Sequence, residues 1–208
     1  MNNDELIFYT NPQSRSRIVR WMLEEMGVDY KVEVIGYGEP MKSEPYISIN
    51  PMGKVPSVVH NGKIVTECAA ICAYLADAFP EVGLAPMITD RASYYRWLFF
   101  AAGPLESAIT NRNLGFEVPN DKQRMAGYGS YDLAINTLAK AVSEASYIAG
   151  DVFTAADVYV GSHVGWGLQF KTLPERKEFI EYFEKLNQRP AYIRATKLDD
   201  GLADAING

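Results

Sequence analysis

The chain has 208 residues, of which 48% are hydrophobic and 22% charged, a composition that suits one large or two small domains with real cores and excludes a disordered protein. The net charge is -6, and no cluster of Lys and Arg occurs, so nonspecific nucleic-acid binding is not expected. The N-terminus lacks the basic start and apolar core of a signal peptide, and no run reaches the roughly 18 apolar residues of a membrane span, which predicts a cytoplasmic protein without a membrane partner.

The first elements alternate between strand and helix. Leu6 to Tyr9 is predicted as a strand, and residues 16–26 as a helix that ends at Gly27. Apolar and charged residues alternate between Tyr30 and Val34, which predicts a second strand. These three elements form a β-α-β unit.

A hairpin and a helix are predicted next. Proline cannot donate to a sheet ladder, so the Val55-Pro56 pair predicts the start of a strand, with a cis amide left open. Asn61 and Gly62 lie between two runs of β-forming residues, which is the signal of a type I′ hairpin. The apolar spacing after the hairpin predicts a helix over residues 67–79. The complete order, β-α-β followed by β-β-α, is that of a thioredoxin-like domain.

The remaining chain is predicted to be helical. Residues 80–90 contain two prolines and a glycine and show no helical or strand periodicity, so we interpret them as an interdomain linker. We place the domain bounds at residues 1–82 and 91–208, with residues 83–90 as the linker. Helical spacing predicts helices over residues 91–115, with a kink at Gly103-Pro104, and over residues 121–145.

A further helix start is predicted at Thr154. Thr154 is the N-cap and Asp157 the third helical residue of a capping box, and Phe153 faces Val158 in a hydrophobic staple. A cap of this kind satisfies unpaired amides and contributes about 1 kcal/mol. We therefore assign these residues a structural role and no catalytic one.

The corner formed by the hairpin and its following helix is predicted to bind a peptide-like acid. The free N–H groups at the start of the helix suit a carboxylate, and Glu67 suits an ammonium group on the same carbon. Val55 offers its backbone N–H and C=O to an extended peptide.

The segments GKVPSV, NG and TECAAICAYL together resemble the glutathione-site block of soluble glutathione S-transferases, and YIAGDVFTAADVYVGS resembles the start of the buried helix in the C-terminal domain of that family. The resemblance covers most of the chain. It implies a thioredoxin-like N-terminal domain that binds glutathione, an all-helical C-terminal domain, and a homodimer. It also implies a transferase that activates the thiol of glutathione for attack on a small hydrophobic electrophile.

The resemblance assigns glutathione contacts by position. Val55, Pro56 and Glu67 match the family motif, whereas Cys68 stands where most members have Ser or Thr, so a thiol replaces the hydroxyl contact to the ligand. Lys42 and Lys54 resemble the residues that meet the glycine carboxylate.

The catalytic hydroxyl is expected in the first strand-helix turn, FYTNPQSRSRIVRW. Family members use a Tyr, Ser or Cys to hydrogen-bond the thiolate of glutathione, because a free thiol with a pKa of about 8.5 is mostly protonated at neutral pH. Ser14 follows Pro12 at the helix entrance and is the first candidate. The alignment can be slipped by one residue, so Ser16 is the second candidate, and Tyr9 is the third.

The acceptor site is expected between the domains, at the helices from Arg91 and Thr154. Phe100, Gly103, Pro104 and Trp166 would form an apolar pocket there, although core packing explains the aromatic residues equally well.

Two other classes of function stay open. One is a noncatalytic binding or partner protein with the same fold, and the other is a glutathione-dependent isomerase or dehalogenase. With two cysteines at a spacing of four, two histidines and no CxxC motif, we predict no metal cofactor.

Overall fold

The computed structural model describes residues 5–207 and separates into two compact units. One unit contains the chain as far as Val82 together with the segment that begins at Gln188, and the other is Gly83–Asn187. The contacts thus group the C-terminal segment with the N-terminal unit, whereas the sequence placed residues 91–208 in one helical domain. The domain bounds at residues 1–82 and 91–208 stay a prediction.

The N-terminal unit is built on a four-stranded sheet with the strand order β2-β1-β3-β4. The strands are β1 (Leu6–Thr10), β2 (Lys31–Val34), β3 (Ser57–His60) and β4 (Lys63–Thr66). β1 pairs parallel with β2 and antiparallel with β3, and β3 pairs antiparallel with β4. The hairpin turn has positive φ at both Asn61 (51°) and Gly62 (76°), as a type I′ turn requires.

The helices of this unit complete the thioredoxin-like order that the sequence predicted. They are α1 (Ser16–Met26), α2 (Glu39–Lys42) and α3 (Cys68–Ala78). Gly27 ends α1 with a left-handed φ of 65°, and its N–H donates to the C=O of Leu23. α1 buries an apolar face that includes Ile18 and Met22, because those residues recur at helical spacing. The predicted fold class is confirmed for this unit.

The Gly83–Asn187 unit is helical. Its helices are α4 (Ala92–Phe100), α5 (Glu106–Asn113), α6 (Tyr131–Glu144), α7 (Ala155–Gln169) and α8 (Lys177–Asn187). A π-helical turn, Ala101–Leu105, separates α4 from α5 and contains Pro104, which accounts for the break predicted at Gly103-Pro104.

The prediction of a helix from Asp121 was wrong. Asn120–Met125 forms a 3₁₀ helix, and α6 begins only at Tyr131. Gly127 and Gly129 interrupt the segment, and Gly129 has a φ of 67°, which a continuing helix does not allow.

The capping box at the start of α7 is present as predicted. Thr154 Oγ1 accepts from the N–H of Ala156, and the Asp157 carboxylate accepts from the N–H of Thr154 at 2.9 Å. Asp157 is fully buried and also accepts from the N–H of Ile148 and the hydroxyl of Tyr182. Burial raises the pKa of Asp157, and these hydrogen bonds oppose that shift.

The last helix, α9 (Pro190–Asn207), packs against α1 inside the N-terminal unit. The rings of Trp21 and Tyr192 meet edge to face, with their centroids 5.0 Å apart. Arg20 and Asp199 form a buried ion pair at 3.1 Å. Within residues 5–207, no helix combines the length and the hydropathy that a membrane crossing requires.

Candidate functional site

Asn11 shapes the turn between β1 and α1. Its side chain is buried, its Oδ1 accepts from the N–H of Gln13, and its Nδ2 donates to the C=O of Ile35 at 3.0 Å. The N–H of Ser14 donates to the C=O of Asn11 at 3.1 Å. The turn is therefore fixed on both sides before α1 begins.

The two serine candidates lie together in this turn. Ser14 Oγ is 2.7 Å from the C=O of Asn11 and 2.8 Å from Ser16 Oγ, and it accepts from the N–H of Ser16. Ser16 is fully buried, whereas Ser14 is half-buried. Of the two hydroxyls, Ser14 is the one that a bound molecule can reach.

Tyr9, the third candidate, lies in β1. Its ring is half-buried and packs against Tyr46, with the centroids 5.6 Å apart. Burial raises the pKa of Tyr9, and the carboxylates of Glu33 and Glu5 add to the effect.

The loop before β3 presents an open stretch of backbone. The C=O of Lys54 accepts from Tyr46 Oη at 2.6 Å and from Asn50 Nδ2 at 2.7 Å, and the Val55-Pro56 bond is cis. In residues 5–207, neither the N–H nor the C=O of Val55 has a hydrogen-bond partner. The loop is thus held rigid on one side while Val55 stays available to an extended ligand.

The start of α3 adjoins the start of α1. Cys68 Sγ lies 3.7 Å from the C=O of Arg15, which brings the two helix N-termini to the same corner. Glu67 precedes α3 with a φ of 67° and an exposed side chain, a backbone conformation that is uncommon outside glycine. Cys68 and Cys72 are buried thiols, and burial raises the pKa of Cys72.

The side chain of Lys42 reaches the loop that contains Lys54. Lys42 Nζ donates to the C=O of Met52 at 2.9 Å, and Lys54 follows two residues later. A Cβ at Gly53 would lie 2.6 Å from the C=O of Met41, so only glycine allows this close approach. Both lysine side chains are exposed.

The four predicted acceptor residues lie in the helical unit. Phe100 ends α4, Gly103 and Pro104 belong to the π-helical turn, and Trp166 lies on α7. All four are half-buried, and α7 contacts both α4 and the π-helical turn. Within residues 5–207, no group of three or more His, Cys, Asp or Glu side chains is arranged to hold a metal ion.

Sequence reasoning missed two residues that support the turn. Asn11 orients Ser14, and an Asn before a Pro is a turn signal that could have identified it. Arg17 donates to the C=O of Pro12 and forms an ion pair with Asp200 of α9 at 2.7 Å. No local pattern links residues so far apart in the chain.

Comparisons with known proteins identify similar chains. The family model described as "Glutathione S-transferase, N-terminal domain" matches residues 14–78. The glutathione S-transferase GstA of Escherichia coli O157:H7 is 25% identical over 190 residues, covering 88% of this chain and 93% of its own.

Solved structures share the fold of the chain. A glutathione transferase from Methylococcus capsulatus is 25% identical, with a TM-score of 0.77, and the match covers 94% of this chain and 98% of its own. A sphingomonad glutathione S-transferase, solved in complex with glutathione, is 24% identical with a TM-score of 0.75, covering 93% and 98%. The family model thus matches the N-terminal part of the chain, and the curated relative and these structures show that the chain is similar to glutathione S-transferases over most of its length.

Proposed function

We propose that this protein binds glutathione and transfers a small hydrophobic electrophile to its sulfur. The observation that carries the proposal is the contact between Cys68 Sγ and the C=O of Arg15, at 3.7 Å. This contact joins the serine-bearing turn to the start of α3, and Val55 offers an unpaired backbone edge in the same unit. The sphingomonad relative was solved with glutathione bound, which supports the same ligand here.

The polar ends of glutathione match the charges of the candidate site. Glu67 accepts the ammonium of the γ-glutamyl group, and the N–H groups at the start of α3 hold its carboxylate. Val55 pairs with the peptide backbone beside Pro56. Lys42 and Lys54 face the glycine carboxylate.

Ser14 donates a hydrogen bond to the thiolate in this proposal. A hydroxyl has one hydrogen, so Ser14 must divert it from the C=O of Asn11. That diversion costs little, because the same C=O keeps its bond from the N–H of Ser14. The donor and the positive end of α1 together favour the thiolate over the thiol.

The reaction is a nucleophilic displacement. The thiolate forms a sulfur–carbon bond with the electrophile, the leaving group departs with the bonding electrons, and one glutathione is consumed for each product. The half-buried residues Phe100, Gly103, Pro104 and Trp166 are our proposed contacts for the apolar part of the electrophile.

The proposal includes a cytoplasmic homodimer. The family resemblance implies that α4 forms the dimer interface. This helix exposes two large side chains, Phe99 at 72% and Tyr95 at 41%. Contiguous exposed apolar residues mark interaction surfaces. Phe99→Glu should shift the sedimentation coefficient from that of a dimer to that of a monomer.

Calorimetry with glutathione tests the binding step, and chloride release from an aryl chloride tests transfer. We expect glutathione to bind, and we expect Glu67→Gln to weaken binding about tenfold because it removes one charge-assisted contact. The control Lys63→Gln changes an exposed residue on β4 and should leave the affinity unchanged. Binding without chloride release would favour the noncatalytic protein. Product formation without net consumption of glutathione would favour an isomerase, and the absence of binding would refute the proposal.

A further inference from the structure

A cavity of about 540 Å³ lies in the helical unit, and it has no part in the proposed reaction. It is lined by the end of α5, the start of α6 and the segment between α7 and α8. None of the four proposed acceptor residues lines it. Its volume falls within the range of about 300–1,000 Å³ that is usual for small-molecule sites.

The lining of this cavity is cationic. Arg112, Lys171 and Arg176 supply three positive charges, and Asp132 is the one carboxylate in the lining, which leaves a net charge of +2 in a chain of net charge -6. Arg112 Nη1 lies 4.0 Å from Asp132 Oδ1, and both side chains are more than half exposed, so this pair is weak.

Two of the three cations are available to a ligand. In the part of the chain that the structure describes, the side chains of Lys171 and Arg176 make no hydrogen bond or ion pair. Arg176 also precedes α8, where its C=O accepts from the N–H of Ile180. The first N–H groups of the 11-residue helix α8 therefore add positive potential beside the guanidinium.

The walls of the cavity are fixed by bonds within the unit. Tyr131 Oη donates to the C=O of Thr172 at 2.6 Å, which ties α6 to the segment after α7. The N–H groups of Thr172 and Leu173 both donate to the C=O of Gly167. A Cβ at Gly167 would lie 2.4 Å from Leu173 Cγ, so this segment packs directly on the backbone of α7. The site is preorganised, which lowers the entropic cost of binding.

Both guanidinium groups act on Tyr131. The Arg112 guanidinium carbon lies 4.0 Å from the centroid of the Tyr131 ring. Burial raises the pKa of Tyr131, and the positive charges of Arg112 and Arg176 oppose that shift. Arg112 thus packs on the ring of Tyr131, and Arg176 lines the same cavity from the segment before α8.

We propose that this cavity binds a small organic dianion, a phosphate monoester or a dicarboxylate joined to an apolar group. Arginine forks match the planar or tetrahedral oxygens of such groups, and two positive charges in excess match two negative ones. Ile135 and Leu173 are buried in the lining, and Phe170 is 67% exposed. These three side chains suit the apolar part of the ligand. The inference is independent of glutathione transfer.

Calorimetry with phenyl phosphate, phthalate and neutral benzyl alcohol tests the proposal. We expect the two dianions to bind, and benzyl alcohol not to bind. Arg112→Gln and Arg176→Gln should each weaken binding about tenfold, as the loss of one charge-assisted contact does. The control Lys140→Gln removes an exposed cation outside the cavity, paired with Glu144 at 3.6 Å, and should change nothing.

Further measurements separate this site from the glutathione site. Saturating glutathione should leave the affinity for phenyl phosphate unchanged, and Arg112→Lys should retain part of it because the charge remains. A phosphate monoester takes up its second proton with a pKa of about 6 and loses one negative charge. A preference for phenyl phosphate over phthalate that disappears below about pH 6 would therefore identify a phosphate ligand rather than a dicarboxylate.

Three results would overturn the inference. They are the absence of dianion binding, binding that survives the replacement of both arginines, and competition by glutathione. Within residues 5–207, Arg176 stacks on no aromatic ring, so its replacement tests the site even if Arg112→Gln disturbs the packing of Tyr131.

Discussion

Replacement of Asp199 by alanine would remove the carboxylate that faces Arg20 between α9 and α1. The two side chains are 1% and 5% exposed. The guanidinium would keep only the Tyr30 hydroxyl, 2.9 Å from Nη1, and the faces of two rings, with the Phe8 centroid at 5.0 Å. A buried cation would therefore lose its paired carboxylate while retaining its other contacts.

Breaking a buried ion pair by removal of one partner costs about 3–5 kcal/mol. Because Arg20 retains the hydroxyl and the rings, we expect the lower end, a loss of about 3 kcal/mol in the free energy of unfolding for Asp199→Ala. The matched control is Asp200→Ala, whose carboxylate is 58% exposed and pairs with Arg17 at 2.7 Å. An exposed pair contributes less than about 1 kcal/mol.

Native-state hydrogen exchange measures this effect locally. A loss of about 3 kcal/mol accelerates exchange of the most protected amides in α1 and α9 roughly 150-fold. The double change Arg20→Met with Asp199→Leu should restore most of the protection, because an apolar pair of similar volume avoids the unpaired charge. Equal effects of Asp199→Ala and Asp200→Ala would show that the buried charge does not account for the stability of this contact.

Three further predictions concern stability and reactivity. Asp157→Ala should lower the free energy of unfolding by about 3 kcal/mol in urea titrations, because it removes the acceptor of four donors. Thr154→Ala should lower it by about 1 kcal/mol, and equal losses would contradict this prediction. Burial raises the pKa of Tyr30 to about 12 against the opposing effect of Arg20, so the folded protein holds this proton more tightly than the unfolded chain does. The stabilisation is present below about pH 10 and is lost as the pH rises through about 12, and Tyr30→Phe should remove this step from alkaline unfolding curves. Because burial raises the pKa of Cys72, mass spectrometry should find it unmodified by maleimide in the native protein and modified in denaturant; native modification would show that the thiol is accessible.

The sequence was most reliable where local signals agree. The bounds of α1 follow from apolar spacing and from the left-handed glycine at position 27, and the structure has the same bounds, Ser16–Met26. The hairpin at Asn61-Gly62 and the capping box at Thr154 are also local, and both are present. The helix predicted from Asp121 failed because apolar spacing outweighed the glycines at positions 127 and 129.

Contacts between distant residues could not be predicted from the sequence. Arg20 and Asp199 are 179 residues apart, and no composition or period links them. The same is true of the contact between Cys68 and Arg15, which lie 53 residues apart. The candidate residues of the glutathione site were identified through motif resemblance, while the support that Asn11 gives to Ser14 became visible only in three dimensions.

The pKa of bound glutathione tests the central proposal most directly. The ultraviolet absorbance of the thiolate, followed against pH in the glutathione complex, gives this pKa for the wild type, Ser14→Ala, Ser16→Ala and Tyr9→Phe. We expect a depressed thiol pKa that rises by about one unit in Ser14→Ala, equivalent to about 1.4 kcal/mol, and changes little in Tyr9→Phe. A thiol pKa that is unchanged in Ser14→Ala but raised in Ser16→Ala or Tyr9→Phe would contradict the assignment of Ser14 as the thiolate donor.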